Sequence, residues 1–193
     1  MRCYSDAMQP RQPLPTIWLV SDARNDAVLE AVLKGLPRGS GLIFRHYHLD
    51  WAQRRARFTR LHLIARARGQ LVALAGSRAL ARRWGADKAY GPHGHLVPVH
   101  SLRELARVRR ADAVLLSPAF PTRSHPGGKV LGPLRWRLIA ARSLVPVIAM
   151  GGIDAKRARR LNAAHWAGID AFFAVNRTLG FPRILDGESW AGA

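Results

Sequence analysis

The chain has 193 residues, 48% of them apolar, which is enough for one domain with a sizeable core, and no change in composition divides it. Its 31 lysines and arginines outnumber 12 aspartates and glutamates, so the formal net charge is +19, and only four of the basic residues are lysines. No apolar run approaches the roughly 20 residues of a membrane helix, and the single cysteine, Cys3, excludes an intrachain disulfide and favours the reducing cytoplasm.

A basic surplus of this size attracts polyanions, so nucleic-acid binding is one hypothesis. The arginines are nevertheless spread over several predicted helices, at residues 54–57, 82–83, 107–110 and 157–160. That distribution is typical of solvated helix faces. We therefore expect only a weak, non-specific attraction for polyanions.

Short apolar runs bounded by turn residues predict eight strands, near residues 17–21, 41–47, 71–75, 88–90, 96–99, 113–117, 146–150 and 171–175. Helical patterns lie between most of them, at residues 26–34, 51–68, 78–84, 102–109, 134–142 and 155–164. Such alternation requires a parallel sheet. Eight units in one domain favour an α/β fold of the small (β/α)8 TIM-barrel type. Only residues 91–95 separate strands four and five, so we expect the helix after strand four to be missing.

The ends of the chain are predicted to lie outside this barrel. Residues 1–15 contain three prolines and lack the apolar core of a signal peptide, so we interpret them as a flexible arm. The single barrel is predicted over residues 16–180, and residues 181–193 form a C-terminal tail.

Several common site motifs are absent from the sequence. Strand one is followed by Ser21–Arg24 instead of a GxGxxG fingerprint, and there is no Walker sequence, paired CxxC or GxSxG elbow. A dinucleotide-binding fold is therefore disfavoured.

Two loops carry the most specific signal. Strand six runs into residues 117–128, SPAFPTRSHPGG, and strand seven ends in Gly151 and Gly152. Paired glycines before a helix expose backbone N–H groups that suit a phosphate ester, although they also serve simply as a turn.

These loops, together with Leu19–Asp22, Arg45 and His100–Leu105, resemble the thiamine phosphate synthase and thiazole tautomerase family, from Ile17 to Arg177. The resemblance implies a small barrel with a thiazole phosphate above the sheet. It implies that the phosphate is held by the strand-seven glycines and by the turn after strand eight, at Val175 and Asn176. It adds Arg45 and Ser117 as further ligand-binding residues.

The chain departs from the family where the synthase holds a pyrimidine diphosphate and magnesium. Only Arg45 remains of the strand-two motif, strand three ends in Ala75-Gly76, and residues 91–95 offer no carboxylate. Mg²⁺ prefers hard oxygen ligands, so its expected carboxylate ligands are absent and no metal site or other cofactor is predicted. Full synthase chemistry is therefore doubtful, whereas the tautomerase branch needs only a phosphate site and an acid–base group.

Histidines are the natural acid–base candidates. Six of eight are predicted at carboxyl ends of strands or in the loops after them: His46, His48, His93, His95, His100 and His125. We assign proton transfer to His125, beside the Thr122 and Ser124 hydroxyls, with loop capping as the alternative. His100 is interpreted as a hydrogen-bonded polar residue at a strand end, and Arg45 as either a ligand for an anion or a partner of Asp22.

Two functional hypotheses follow. The first is an enzyme of thiamine biosynthesis that binds thiazole phosphate, either as a transferase or as an isomerase. The second is a catalytically degenerate barrel that binds a phosphorylated ligand, a nucleic acid or a protein partner.

Overall fold

Eight parallel strands close into a barrel in chain order, with β1 hydrogen-bonded to both β2 and β8. This computed structural model describes residues 13–123 and 127–172. The strands are β1 (Ile17–Val20), β2 (Gly41–Phe44), β3 (Leu71–Ala75), β4 (Lys88–Tyr90), β5 (Leu96–Val99), β6 (Ala113–Leu116), β7 (Val147–Met150) and β8 (His165–Gly168). The predicted small (β/α)8 barrel is confirmed.

Six α-helices surround the strands: α1 (Leu29–Gly35), α2 (Trp51–Ala67), α3 (Arg78–Trp84), α4 (Leu102–Leu105), α5 (Gly132–Ala140) and α6 (Ala155–Leu161). Two 3-10 helices, Ala23–Val28 and Asp170–Phe172, follow β1 and β8. Side chains of Asp50, Ser77, Ser101 and Asp154 accept N–H groups at the starts of α2, α3, α4 and α6. No helix in the described part of the chain is both long and apolar enough to cross a membrane.

The last strand was placed wrongly by the sequence pattern. Residues 171–175 read as an apolar strand, but β8 is His165–Gly168, paired with both β7 and β1. Asn162 adopts a left-handed conformation with φ of 55° and ends α6 earlier than predicted. The β8 sequence His-Trp-Ala-Gly has no β-branched residue, so propensity does not mark it as a strand.

Strand residues alternate between two apolar layers. Trp18, Val20, Ile43, Ala73 and Leu115 belong to a cluster inside the barrel, whereas their neighbours along each strand pack in the layer under the helices. A Cβ at Gly41 would collide with the Trp18 ring, so this glycine makes room for the largest interior side chain.

The connection between β4 and β5 contains no helix, as predicted. Instead, the Arg78 guanidinium at the start of α3 donates to the carbonyls of His93 (3.0 Å), Gly94 (2.8 Å) and Arg110 (2.8 Å). The two strands share a single pair in register, Tyr90 with Leu96. One side chain thus holds together backbone segments that a helix covers elsewhere in the barrel.

The predicted arm as far as residue 12 and the predicted tail, residues 181–193, lie outside the described residues.

Candidate functional site

A cavity of about 710 Å³ opens at the carboxyl ends of the strands. The interior alternation explains its lining, because Arg45, Pro98, Ser117 and Met150 are each two residues beyond an interior residue of the same strand. Catalytic groups of such barrels lie at this end. The cavity is therefore the candidate site.

The strand-seven glycines line this cavity and need their glycine identity for two reasons. Gly151 and Gly152 have φ of 86° and 59°, a left-handed conformation that other residues rarely adopt. A Cβ on Gly151 would lie 2.7 Å from Pro118 Cα, and a Cβ on Gly152 would collide with the Pro121 carbonyl oxygen. The glycines are thus required first by close packing against the loop after β6.

That loop is hydrogen-bonded along the end of β7. The Ala119 N–H donates to the Met150 carbonyl at 2.9 Å, and the Phe120 N–H donates to the Gly151 carbonyl at 3.0 Å. The preceding Ser117–Pro118 peptide bond is cis. These contacts fix the loop so that Ser117 and Thr122 both line the cavity, as the prediction of ligand contacts requires.

Basic side chains line the cavity: the cations Arg45, Arg123, Lys129 and Arg157, and the imidazole of His100. The Arg157 guanidinium donates to the Gly152 carbonyl at 2.5 Å and lies 5.3 Å from the Phe120 ring centre. Lys129 forms no ion pair with an acidic side chain among the described residues. The glycine side of the cavity is therefore a favourable place for an anion.

Arg45 forms the ion pair with Asp22 that was predicted as one of its two roles. The two side chains lie 3.4 Å apart, and Arg45 also lines the cavity. Burial alone raises the pKa of Asp22, but hydrogen bonds from Arg24 and the charges of Arg24 and Arg45 lower it below its ordinary value. Arg45 Nε is buried without a hydrogen-bond partner.

Two carboxylates also reach the lining. Asp154 caps the N-terminus of α6, where it accepts the Arg157 N–H at 2.8 Å. Asp170 follows β8 and lies 3.5 Å from Arg24, while its second oxygen, Oδ1, is buried without a partner. Each side of the cavity therefore carries one carboxylate, but on the β7 side Asp154 lies 4.0 Å from Arg157 Nε and two cations, Arg157 and Lys129, outnumber it, which makes this side the more favourable one for a phosphate.

The predicted histidines separate into different environments. Among the described ones only His100 lines the cavity, where it is exposed and its Nδ1 lies 3.0 Å from Glu104. His95 Nδ1 accepts the Ala89 N–H at 2.9 Å, so this ring supports the β4–β5 turn. His48 and His93 are exposed outside the lining.

His46 is buried beneath the site. Its Nδ1 lies 2.7 Å from Ser21 Oγ, and its Nε2 lies 2.7 Å from Asp26 Oδ1. Burial lowers the pKa of His46 below its ordinary value, although the hydrogen bond to Asp26 acts in the opposite direction. Because the ionised Asp26 can only accept, the neutral imidazole donates its Nε2–H to Asp26, and its Nδ1 then accepts from the Ser21 hydroxyl, whose oxygen also accepts the Arg45 N–H. The chain Ser21–His46–Asp26 is a structural connection between β1, β2 and the first 3-10 helix.

The residues at the ends of β2 and β3 do not fit a magnesium ion. The Arg54 guanidinium donates to the Ala75 carbonyl at 2.7 Å and to the Arg45 carbonyl at 3.1 Å, which brings a positive charge to the place where the family has carboxylates. Within the described ranges no three His, Cys, Asp or Glu side chains are grouped so as to hold a metal ion. Asp22 is occupied by Arg24 and Arg45.

The remaining predicted site residues, Ser124, His125, Val175 and Asn176, lie outside the described residues. The turn that follows β8 in the structure is Ile169–Ala171, several residues before the pair assigned to it.

Sequence reasoning missed six polar lining residues: Tyr90, Arg123, Lys129, Asp154, Arg157 and Asp170. Burial raises the pKa of Tyr90, which keeps its phenol protonated. Arg157 had a usable signal, because it lies in the first turn of the helix that starts directly after Gly151-Gly152. Lys129 also had a usable signal, because it directly follows a Gly-Gly pair in the most specific loop.

Comparison with known proteins agrees with this architecture. A family model described as thiamine monophosphate synthase matches residues 97–175, less than half of the chain. A thiamine phosphate pyrophosphorylase from Pyrococcus furiosus is similar in structure, with a TM-score of 0.70 and 20% identity, covering 86% of this chain and 90% of its own. A FabK mutant from Thermotoga maritima gives a TM-score of 0.48 and 17% identity, covering 83% of this chain and 62% of its own. No curated protein is significantly similar in sequence.

The matched segment runs from β5 past β8, and it contributes most of the cavity lining, including both strand-seven glycines. The resemblance predicted from the sequence is confirmed: the chain is similar to the thiamine monophosphate synthase family in the segment that lines its cavity and is a (β/α)8 barrel throughout the described strands.

Proposed function

We propose that this chain is an enzyme of thiamine biosynthesis that binds thiazole phosphate in the cavity and transfers a proton without a metal ion. The observation that carries the proposal is the pairing of Gly151 and Gly152 with the cations Lys129 and Arg157 around one cavity. A phosphate monoester is a small dianion that such a surface accepts.

The phosphate is assigned to the β7 side of the cavity. The Asp170 carboxylate on the β8 side would repel a dianion, whereas on the β7 side the charges of Lys129 and Arg157 exceed the single charge of Asp154, which lies 4.0 Å from Arg157. Pro98, Pro118 and Met150 give the cavity an apolar wall suited to a flat ring. Arg45, which lines the cavity from the end of β2, is the cation proposed to contact the ring.

Diphosphate transfer is not part of the proposal. A departing diphosphate needs a cation held by carboxylates, and the ends of β2 and β3 instead present Arg54 and the Ala75 backbone. Proton transfer makes a smaller demand, since one imidazole near neutrality is able to remove and return a proton.

His125 is the proposed proton-transfer residue. It lies in the loop between Arg123 and Gly128, and both of these residues line the cavity. His100 is the alternative within the described residues, but its hydrogen bond to Glu104 already positions it at the start of α4.

The binding part is tested by calorimetric titration with thiazole phosphate, with the dephosphorylated thiazole as a comparison. We expect Lys129→Ala to weaken binding of the phosphate about ten- to a hundred-fold, as expected for loss of a charged hydrogen bond. Lys156→Ala removes the same charge from an exposed position outside the lining and should bind normally. Equal affinity for the two thiazoles would contradict the proposal.

The catalytic part is tested with a thiazole carboxylate phosphate. His125→Asn should lower the tautomerisation rate on the order of 10² to 10⁴-fold while phosphate affinity is retained. His100→Asn should have little effect. The opposite result would transfer the role to His100, and unchanged rates in both would favour a barrel that binds its ligand without catalysis.

A further inference from the structure

An open groove of about 960 Å³ runs along the outer side of α2, far around the barrel wall from the lining of the cavity. Trp51, Arg55, Thr59 and Leu63 lie four residues apart along one face of this helix, and Lys34 of α1 forms the opposite edge. Trp51 is 54% exposed and Leu63 is 66% exposed. Exposed apolar side chains in a row indicate a binding surface.

Aromatic rings are concentrated at one end of this groove. The exposed Trp51 ring meets the buried Trp84 ring edge-on, with centres 5.1 Å apart. Tyr47, four residues before Trp51, is 66% exposed. Tyr47 lies outside the groove lining, and its ring centre is 5.6 Å from the Arg54 guanidinium, which lies 5.5 Å from the Trp84 ring centre. Tyr47 and Trp51 are thus linked through Arg54 and Trp84, and both exposed rings are able to stack against flat ligand groups.

The groove is also positively charged. Helix α2 carries Arg54, Arg55, Arg57, Arg60 and Arg66 and has no acidic residue. Glu30, the acid in the groove, is occupied by Arg57 at 2.6 Å and Arg60 at 2.7 Å. Arg55 and Lys34 have no acidic partner among the described residues. The Arg55 guanidinium lies 5.8 Å from the Trp84 ring centre, beside the exposed aromatic end.

We infer that this groove binds single-stranded nucleic acid, with bases stacked on Trp51 and Tyr47 and phosphates paired with Arg55 and Lys34. Free bases supply the flat faces that the rings accept, and the backbone supplies the negative charge that the arginines attract. A duplex would offer only its backbone, because its bases are already stacked.

A second copy of this chain fits the same surface less well. A two-fold contact would place the groove residues of one copy against those of the other, so Arg55 and Lys34 would face like charges. Each chain has a formal net charge of +19, which adds a general repulsion. Charge complementarity therefore favours the polyanion as the occupant.

The test is fluorescence anisotropy of a labelled oligouridylate of about 12 nucleotides at low salt and at physiological salt. Trp51→Ala should weaken binding roughly five- to a hundred-fold, the loss expected for one stacked base. Arg55→Ala should weaken it and reduce the slope of log affinity against log salt by about 0.7. Arg159→Ala removes the same charge from an exposed position on α6 and should change affinity less than two-fold.

Three outcomes would overturn the inference. Equal losses from Arg55→Ala and Arg159→Ala would show general charge attraction without a site. Full affinity of Trp51→Ala, with its fold verified by circular dichroism, would remove the stacking role. A dimer that Leu63→Asp dissociates would identify the groove as a contact between two copies.

Discussion

Replacement of Gly152 by alanine tests how the phosphate-side glycines work. The new Cβ meets two penalties, a left-handed conformation at φ of 59° and a collision with the Pro121 carbonyl oxygen. The first costs about 1–2 kcal/mol and the second, as overpacking, about 1–3 kcal/mol. We therefore expect Gly152→Ala to lower the free energy of unfolding by about 2–5 kcal/mol in total.

The matched control is Gly39→Ala. Gly39 has φ of 76°, but nothing lies within 4 Å of the position of its Cβ, so this variant measures conformational strain alone. Urea unfolding should show Gly152→Ala to be less stable than Gly39→Ala by the overpacking cost. Calorimetry should also show weaker binding of thiazole phosphate, because Thr122, which lines the cavity, lies in the loop that the new Cβ would displace. Equal stability of the two variants would refute the close packing of this loop on β7.

The other predictions concern the residues beneath the cavity. The pKa of His46 is lowered by burial, so the unfolded chain binds more protons below about pH 6.5, and stability should fall as the pH drops from 7 to 5. His46→Asn should reduce this dependence of thermal stability on pH. Asp26, whose pKa is lowered, stays ionised between pH 5 and 7 and does not contribute to it. An unchanged dependence would exclude His46 as its source. Arg54→Met should lower the free energy of unfolding by about 2–3 kcal/mol, because it removes the charged hydrogen bonds to the Ala75 and Arg45 carbonyls. Equal destabilisation by Arg55→Met would contradict this prediction.

Most of the fold could be predicted because its strands are short apolar runs with clear limits. Residues 71–75, 88–90 and 96–99 coincide with β3, β4 and β5, and the missing helix followed from the length of the connection between the last two. β8 could not be predicted in the same way, because its tryptophan and small residues become a strand only through pairing with β7 and β1. Long-range pairing, which no local pattern contains, decided that strand.

The candidate site shows a similar division. Gly151, Gly152, Ser117 and Arg45 were predicted as ligand contacts and Thr122 as a catalytic neighbour of His125, and all five line the cavity. The sequence explained the two glycines only by the backbone N–H groups that they expose to a phosphate. They are also required because the loop after β6 fills the space beside them.

Sequence could not predict charges that depend on contacts between distant residues. The sequence predicted His46 as a candidate acid–base residue, but in the structure its two hydrogen bonds hold it in the barrel wall beneath the site. Asp170 reached the lining only because β8 ends before it.

A closed barrel opens first between the two neighbouring strands that are paired most weakly. Between β4 and β5 the sheet has one pair in register, fewer than between any other neighbouring strands of the barrel. Three hydrogen bonds support that pair, from the Gly91 N–H to the Leu96 carbonyl (3.0 Å), from the His95 N–H to the Ala89 carbonyl (2.8 Å) and from the Ala89 N–H to His95 Nδ1 (2.9 Å). Local opening of the barrel will therefore begin there, and amide hydrogens of Tyr90 and Leu96 will exchange with solvent before those of the other strands. Because Tyr90 and Pro98 both line the cavity, separation of β4 from β5 would widen the cavity on that side while the β6–β7 side stays fixed.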